Sequence, residues 1–244
     1  MTRALVVVPT YNERGNLPVL VTGLMRHEAV RLLVVDDESP DGTGDLAEQL
    51  AREHPGRMSV LRRTGRRGLG RSYVDAFKRV VGERVDVICQ MDADLSHDPA
   101  QLPSLIAASS RADLVIGSRY VPGGAIENWP RRRRLLSRAA NIYIRTITRM
   151  ESRDCTSGYR CWRRECLAAL PLDRFISDGY AFLVEMLFVA ARRGARIVEV
   201  PITFVERREG QSKLSTGVLV ESATMPWRLM ANPESTRRPG PSTA

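Results

Sequence analysis

Residues Ala4–Thr43 read ALVVVPTYNERGNLPVLVTGLMRHEAVRLLVVDDESPDGT. Two runs that are apolar on successive residues, Ala4–Val8 and Leu32–Val35, enclose the amphipathic stretch Leu17–His27. Strands covered by helices on both faces have this continuous apolar character, whereas a half-exposed strand alternates. The unit is strand–helix–strand, and it repeats. Ser59–Leu61, Val85–Met91 and Leu114–Gly117 are further apolar runs, separated by the helical stretches Asp45–His54, Gly70–Gly82 and Pro99–Arg111. The rhythm predicts an α/β fold with a mostly parallel, doubly wound sheet and flanking helices, whose ligands lie beyond the carboxyl ends of the strands.

Downstream the pattern loosens. Val121–Arg134 reads as a loop, followed by a helix to about Met150, a polar turn at Asp154–Arg160, a helix at Gly179–Arg193 and strands at Ile197–Val200 and Ile202–Val205. One domain is expected over residues 1–231, with a disordered Pro- and Ser-rich tail over 232–244. An apolar content of 43% is ample for a core, and 37 Lys+Arg against 28 Asp+Glu gives +9, which favours phosphorylated or otherwise anionic partners. Aromatics are only 6%, so a basic groove interleaved with aromatics is not indicated and nucleic acid is not expected. No run is long enough for a signal peptide or a membrane span. Cys89, Cys155, Cys161 and Cys166 form no CxxC pair and read as reduced thiols.

The strand ends carry the chemistry. The first runs into Pro9-Thr10-Tyr11-Asn12-Glu13, the second into Asp36-Asp37-Glu38, the fourth into Asp92-Ala93-Asp94-Leu95-Ser96-His97 and the fifth into Ser118-Arg119-Tyr120. Helix capping accounts for Asp41 and Asp98. It does not account for Asp92 and Asp94, which come too early and whose carboxylates can converge on one Mg²⁺ or Mn²⁺ together with diphosphate oxygens. Neither GxGxxG nor GxxxxGK[ST] is present, so dinucleotide and P-loop binding are disfavoured.

VVPTYNE (Val7–Glu13), VVDDESPDGT (Val34–Thr43), GLGRSY (Gly68–Tyr73), DADLSHDP (Asp92–Pro99) and GSRY (Gly117–Tyr120) together resemble the inverting family-2 glycosyltransferases of the GT-A (Rossmann-like) fold. TSGYR (Thr156–Arg160), GYAFLVEM (Gly179–Met186) and ERREGQSK (Glu206–Lys213) narrow the resemblance to the dolichol-phosphate mannose synthase group. The resemblance implies mannose transfer from GDP-mannose to a polyprenyl monophosphate, with inversion and with Mg²⁺ or Mn²⁺. It implies a nucleotide-sugar site of Pro9, Tyr11, Glu13, Val35, Asp37, Asp92, Ala93, Asp94, Arg119, Arg207 and Lys213. Asp92 and Asp94 are the implied metal ligands, and with Arg119 the catalytic set. The sequence departs from the group at Cys155, where threonine is commoner, and at Arg208-Glu209, where an aromatic often precedes the glycine. UDP-glucose or another sugar nucleotide is the alternative donor on the same fold.

A phosphate acceptor is already anionic, so no general base is needed, and His97 reads as a supporting residue. Arg119 and the run Arg131–Arg134 (Arg131, Arg132, Arg133, Arg134) are the candidate contacts for the acceptor phosphate; a solvated charge run is the competing reading of the latter. On a helical wheel Arg134, Arg138, Arg145 and Arg149 share one arc, while Leu135, Leu136, Ala139, Ile142, Tyr143, Ile147 and Met150 share the other side. That wheel fits an interfacial helix on anionic lipid. It fits equally a helix packed on the domain with its arginines in water. Ser215–Ala231 is a second candidate for membrane contact. The resulting expectation is a cytoplasmic protein held peripherally at the inner face of the membrane, with room for a separate membrane-anchoring partner.

Overall fold

The structure is a computed structural model and describes residues 2–175, 177, 179–206 and 216–231. Strands β1 (Ala4–Thr10), β2 (Val30–Asp36), β3 (Met58–Arg62), β4 (Val87–Gln90) and β5 (Leu114–Ser118) fall on the five apolar runs. Helices α1 (Leu17–Met25), α2 (Thr43–Glu53), α3 (Leu69–Val80) and α4 (Leu102–Ala108) connect them. A short β6 (Ala125–Glu127) leads into α5 (Arg131–Thr148), then β7 (Arg160–Arg163), α6 (Arg164–Ala168), α7 (Tyr180–Arg192), β8 (Ile197–Pro201), β9 (Thr203–Val205) and α8 (Thr216–Ala231).

The main sheet has the order β3-β2-β1-β4-β7-β5-β8, and all pairs are parallel except those of β7. Alternate residues of β1 enter opposite halves of the core. Leu5 and Val7 pack with Tyr73 and Phe77 of α3 and Phe182 of α7, while Ala4, Val6 and Val8 pack with Leu17, Leu20 and Leu24 of α1 and Leu102 and Leu105 of α4. Both faces are covered, which is why β1 is apolar at every step from Ala4 to Val8. Because β2 and β4 flank β1 on opposite sides, the chain reverses its direction of travel at β1/β4 and opens a crevice at their carboxyl ends.

Two readings change. Arg160–Arg163 was expected partly as turn, but it is a strand inserted antiparallel between β4 and β5, with Gln90 and Ile116 both in register with Arg160. The loop before α5 ends at Pro130, so the four arginines form the first turn of the helix. The tail over 232–244 lies outside the described residues. No helix among the described residues is long and apolar enough to cross a membrane.

Candidate active site

The antiparallel β7 brings its amino end to the rim where β1, β4 and β5 end, so the 154–159 segment joins the carboxylate-rich loops there. On the β1–β2 side, Tyr11 Oη accepts from Arg67 Nη1 at 2.6 Å, and the Arg67 guanidinium also lies over the Tyr11 ring. Glu13 Oε2 accepts from Asn16 Nδ2 at 2.9 Å. The Asp37 carboxylate holds Arg63 and accepts the Gly68 N–H at 2.9 Å, tying the second strand end to the start of α3. Pro9 is half-buried beside them in β1. Val35, expected at the nucleotide-sugar site, has its side chain wholly buried in the core at the end of β2. Ala93 likewise turns its methyl group into the core beneath the rim.

Asp92 and Asp94 follow β4 directly. Asp94 Oδ1 accepts from both Ser96 N (3.1 Å) and Ser96 Oγ (2.5 Å), which folds its loop back and fixes the carboxylate. The Asp92 N–H donates to His97 Nδ1 at 3.3 Å. His97 is fully buried, stacked on Tyr159 and edge-on to Phe204, and burial pulls its pKa down to about 4. It is therefore a neutral brace behind Asp92 at physiological pH. Gly158 closes against the same carboxylate: a Cβ there would stand 3.0 Å from Asp92 Oδ1. The two aspartates suit a hard divalent cation by charge and by oxygen chemistry. Among the described residues no group of three or more His, Cys, Asp or Glu side chains is placed to hold a metal ion. Gly158→Ala should push the Asp92 carboxylate aside and weaken Mn²⁺-dependent nucleotide-sugar binding about tenfold while leaving the melting temperature within a few degrees. Calorimetric titration and a melting curve check this.

Arg119, the expected contact for the acceptor phosphate, is buried and paired. Its Nε and Nη2 donate to Asp154 Oδ2 (2.7 Å) and Oδ1 (2.6 Å), its backbone N–H to Asp154 Oδ2 (3.0 Å), and Nη2 also to Thr156 Oγ1 (2.8 Å). The rings of Tyr120, Trp129 and Phe204 surround the guanidinium at 5.2–5.8 Å. Burial works against both charges, but the pairing outweighs it, holding Arg119 protonated and Asp154 ionised. Asp154 is itself set by Glu199, which accepts the N–H groups of Arg153 and Asp154. Arg160, fully buried without a carboxylate, donates to the carbonyls of Ser157, Cys155 and Leu183, and burial lowers its pKa to about 10. Asp154 and Arg160 were not among the expected site residues; the only signal for them was the TSGYR block next to Asp154.

The arginine run is divided among roles. Arg133 pairs with Glu206 at 2.7 Å and stacks 4.0 Å over the Trp129 ring, and Arg134 Nε donates to the Trp129 carbonyl. Arg131 and Arg132 are exposed. Burial shows which residues of α5 meet the domain. Its docked residues are Asn141, Ile144 and Thr148, whereas Leu135 (71% exposed), Leu136 (63%) and Ile142 (54%) face outward. Of the seven large hydrophobic side chains exposed among the described residues, six lie on α5 and α8: these three, Tyr143, Trp227 and Met230. The helix is docked on the domain, and most of its apolar side chains are in solvent. Arg207 and Lys213 lie outside the described residues.

A model of the glycosyl transferase family 2 domain matches residues 5–170. The chain is a family 2 glycosyltransferase. The match spans the crevice at β1/β4, the Asp92–Asp94 loop and the Arg119–Asp154 pair. Undecaprenyl-phosphate mannosyltransferase of Micrococcus luteus is 48% identical to this glycosyltransferase over 96% of the chain and 98% of its own length. Polyprenol monophosphomannose synthase of Mycolicibacterium smegmatis is 48% identical over 87% of the chain and 81% of its own length. Among solved structures, the mannosyltransferase PcManGT of Pyrobaculum calidifontis, in complex with GDP-Man and Mn²⁺, shares the fold with a TM-score of 0.57 at 18% identity, covering 96% of this chain and 73% of that one. The fold of this glycosyltransferase is thus GT-A-like, as the resemblance implied.

Proposed function

We propose that this glycosyltransferase moves mannose from GDP-mannose to a polyprenyl monophosphate at a membrane surface, with inversion at the anomeric carbon. The observation that carries the reading is the placement of an anionic metal-type site, Asp92 and Asp94, on the same rim as the buried Arg119–Asp154 pair, beside a helix whose apolar face is exposed. The two mannosyltransferase relatives at 48% identity support the sugar and the acceptor class.

Asp92 and Asp94 would hold Mg²⁺ or Mn²⁺, with His97 and Ser96 fixing their orientation. Such an ion supplies neutralisation of the charge that develops on the departing nucleoside diphosphate. Tyr11, Glu13 and Asp37 line the nucleotide side; Arg119 faces the acceptor phosphate. That phosphate attacks directly, so the protein's contribution is alignment of two anions without mutual repulsion. Arg119 suits this task because Asp154 fixes its guanidinium before any ligand arrives. Titration with GDP-mannose and with UDP-glucose, each with Mn²⁺, tests the donor: tighter binding of GDP-mannose is expected, and a preference for UDP-glucose would overturn it.

The exposed face of α5 and α8 is placed against the bilayer in this reading. Arg131, Arg138 and Arg149 flank it, suiting anionic headgroups. Replacing Leu136 and Trp227 together by Ser should reduce co-sedimentation with vesicles containing anionic lipid by about tenfold or more, from the apolar area withdrawn from the membrane. GDP-mannose affinity should be unchanged. Wild-type protein that ignores such vesicles at low salt would contradict the placement.

A further inference from the structure

Helix α5 is docked the wrong way round for a soluble domain. A surface helix normally turns an apolar stripe to the core and polar residues to water. Here the inward stripe is Ser137, Asn141, Ile144 and Thr148, three of them polar, and at about 100° per residue the apolar face is centred roughly opposite to it. Burying polar side chains costs free energy unless each finds partners, so the stripe must be bonded to something specific.

Asn141, 2% exposed, is the centre of those bonds. Its Oδ1 accepts the Cys155 N–H at 2.7 Å. Its Nδ2 donates to the Ser137 carbonyl (2.9 Å) and to Thr156 Oγ1 (3.2 Å). The Thr156 hydroxyl in turn accepts from Arg119 Nη2 at 2.8 Å and donates to Asp154 Oδ1 at 3.3 Å. One donor and two acceptor positions are all a hydroxyl has, and all three are used. One turn earlier, Tyr120 Oη donates to Ser137 Oγ at 2.7 Å, joining the residue after Arg119 to the same helix. The bonds that leave the inner face of α5, from Asn141 to the Cys155 N–H and Thr156 Oγ1 and from Tyr120 to Ser137, lead to the shell around one guanidinium, while those to the Ser137 and Ile144 carbonyls stay within the helix.

We infer that Asn141, acting through the Thr156 hydroxyl, is a positioning residue that fixes the Arg119 guanidinium relative to α5 and so sets where the acceptor phosphate is received. The inference rests on the reading that the acceptor is a membrane-borne polyprenyl phosphate met by Arg119. In the proposed reading the donor is held by Tyr11, Glu13 and Asp37 and by the ion on Asp92 and Asp94, and none of these bonds runs to those side chains. The two substrates should therefore respond differently. A residue that only stabilised the fold would instead lower the active fraction and move neither KM.

The test uses the full chain, GDP-mannose, Mn²⁺ and polyprenyl phosphate in vesicles. Asn141→Ala and Thr156→Val should each raise the acceptor KM about tenfold, the scale of one charge-assisted hydrogen bond. The donor KM should stay within about twofold, and Thr156→Ser, which restores the hydroxyl, should return the acceptor KM to near wild type. If Asn141→Ala does not fold, the near-isosteric Thr156→Val and its Ser rescue decide the matter. Equal shifts in both KM values, a loss confined to kcat, a silent Thr156→Val or failure of both variants to fold would overturn the inference. A wild type that transfers nothing to polyprenyl phosphate would instead overturn the functional reading beneath it, which separates the two failures.

Discussion

Asp94→Asn should lower kcat by about a thousandfold, the scale seen when preorganised charge at a reacting centre is removed. The substitution keeps the side chain's shape and its Oδ1 acceptor toward Ser96, so the loop after β4 should hold its conformation. What it removes is one negative charge from the Asp92–Asp94 pair. Nucleotide-sugar affinity should therefore fall when Mg²⁺ or Mn²⁺ is present and change little in EDTA. Steady-state kinetics and calorimetric titration with and without chelator check both halves. Full wild-type activity in EDTA would show that the two aspartates serve something other than a metal.

Asp154→Asn should be the most destabilising substitution at the rim. Removing one partner of a buried, bidentate pair leaves the other charge uncompensated and costs about 3–5 kcal/mol. For a chain of this size that corresponds to a melting temperature lowered by roughly 10 °C or more. Arg119→Lys keeps the charge but cannot make the two-pronged contact with Asp154. It should lose acceptor-side activity at a smaller stability cost. A melting curve for Asp154→Asn within a degree or two of wild type would show that the pair is weakly coupled to the fold.

The parts of the fold legible in the sequence are those where burial is complete on both faces. β1, β2 and β5 announce themselves because every residue of Ala4–Val8, Leu32–Val35 and Leu114–Gly117 is buried, so apolar character is unbroken over those runs. β7 was missed for a physical reason: RCWR begins with an arginine that is wholly buried, yet satisfied by three backbone carbonyls rather than by a carboxylate. A charged residue in the interior defeats a reading based on hydropathy. At the rim, the placement of Asp92 and Asp94 together just after β4 was legible from their spacing after an apolar run. Arg119 was legible as a rim residue, but its partner Asp154 lies 35 positions away, and nothing local to either residue encodes that distance. Helix α5 is the sharpest case. Its wheel showed an apolar side and a basic side, and only burial could say that Asn141 faces inward while Leu135 and Leu136 face solvent. Arg207, Lys213 and the tail beyond residue 231 fall outside the described residues.

The measurement that bears most directly on the account is transfer itself. Purified protein is incubated with GDP-[¹⁴C]mannose, Mn²⁺ and vesicles containing polyprenyl monophosphate, and radiolabel is counted in the organic phase. The account predicts a mannolipid whose formation requires the polyprenyl phosphate, is abolished by EDTA, and is far slower with labelled UDP-glucose as donor. No organic-phase label from GDP-mannose, or label that persists in EDTA or is matched by UDP-glucose, would contradict it.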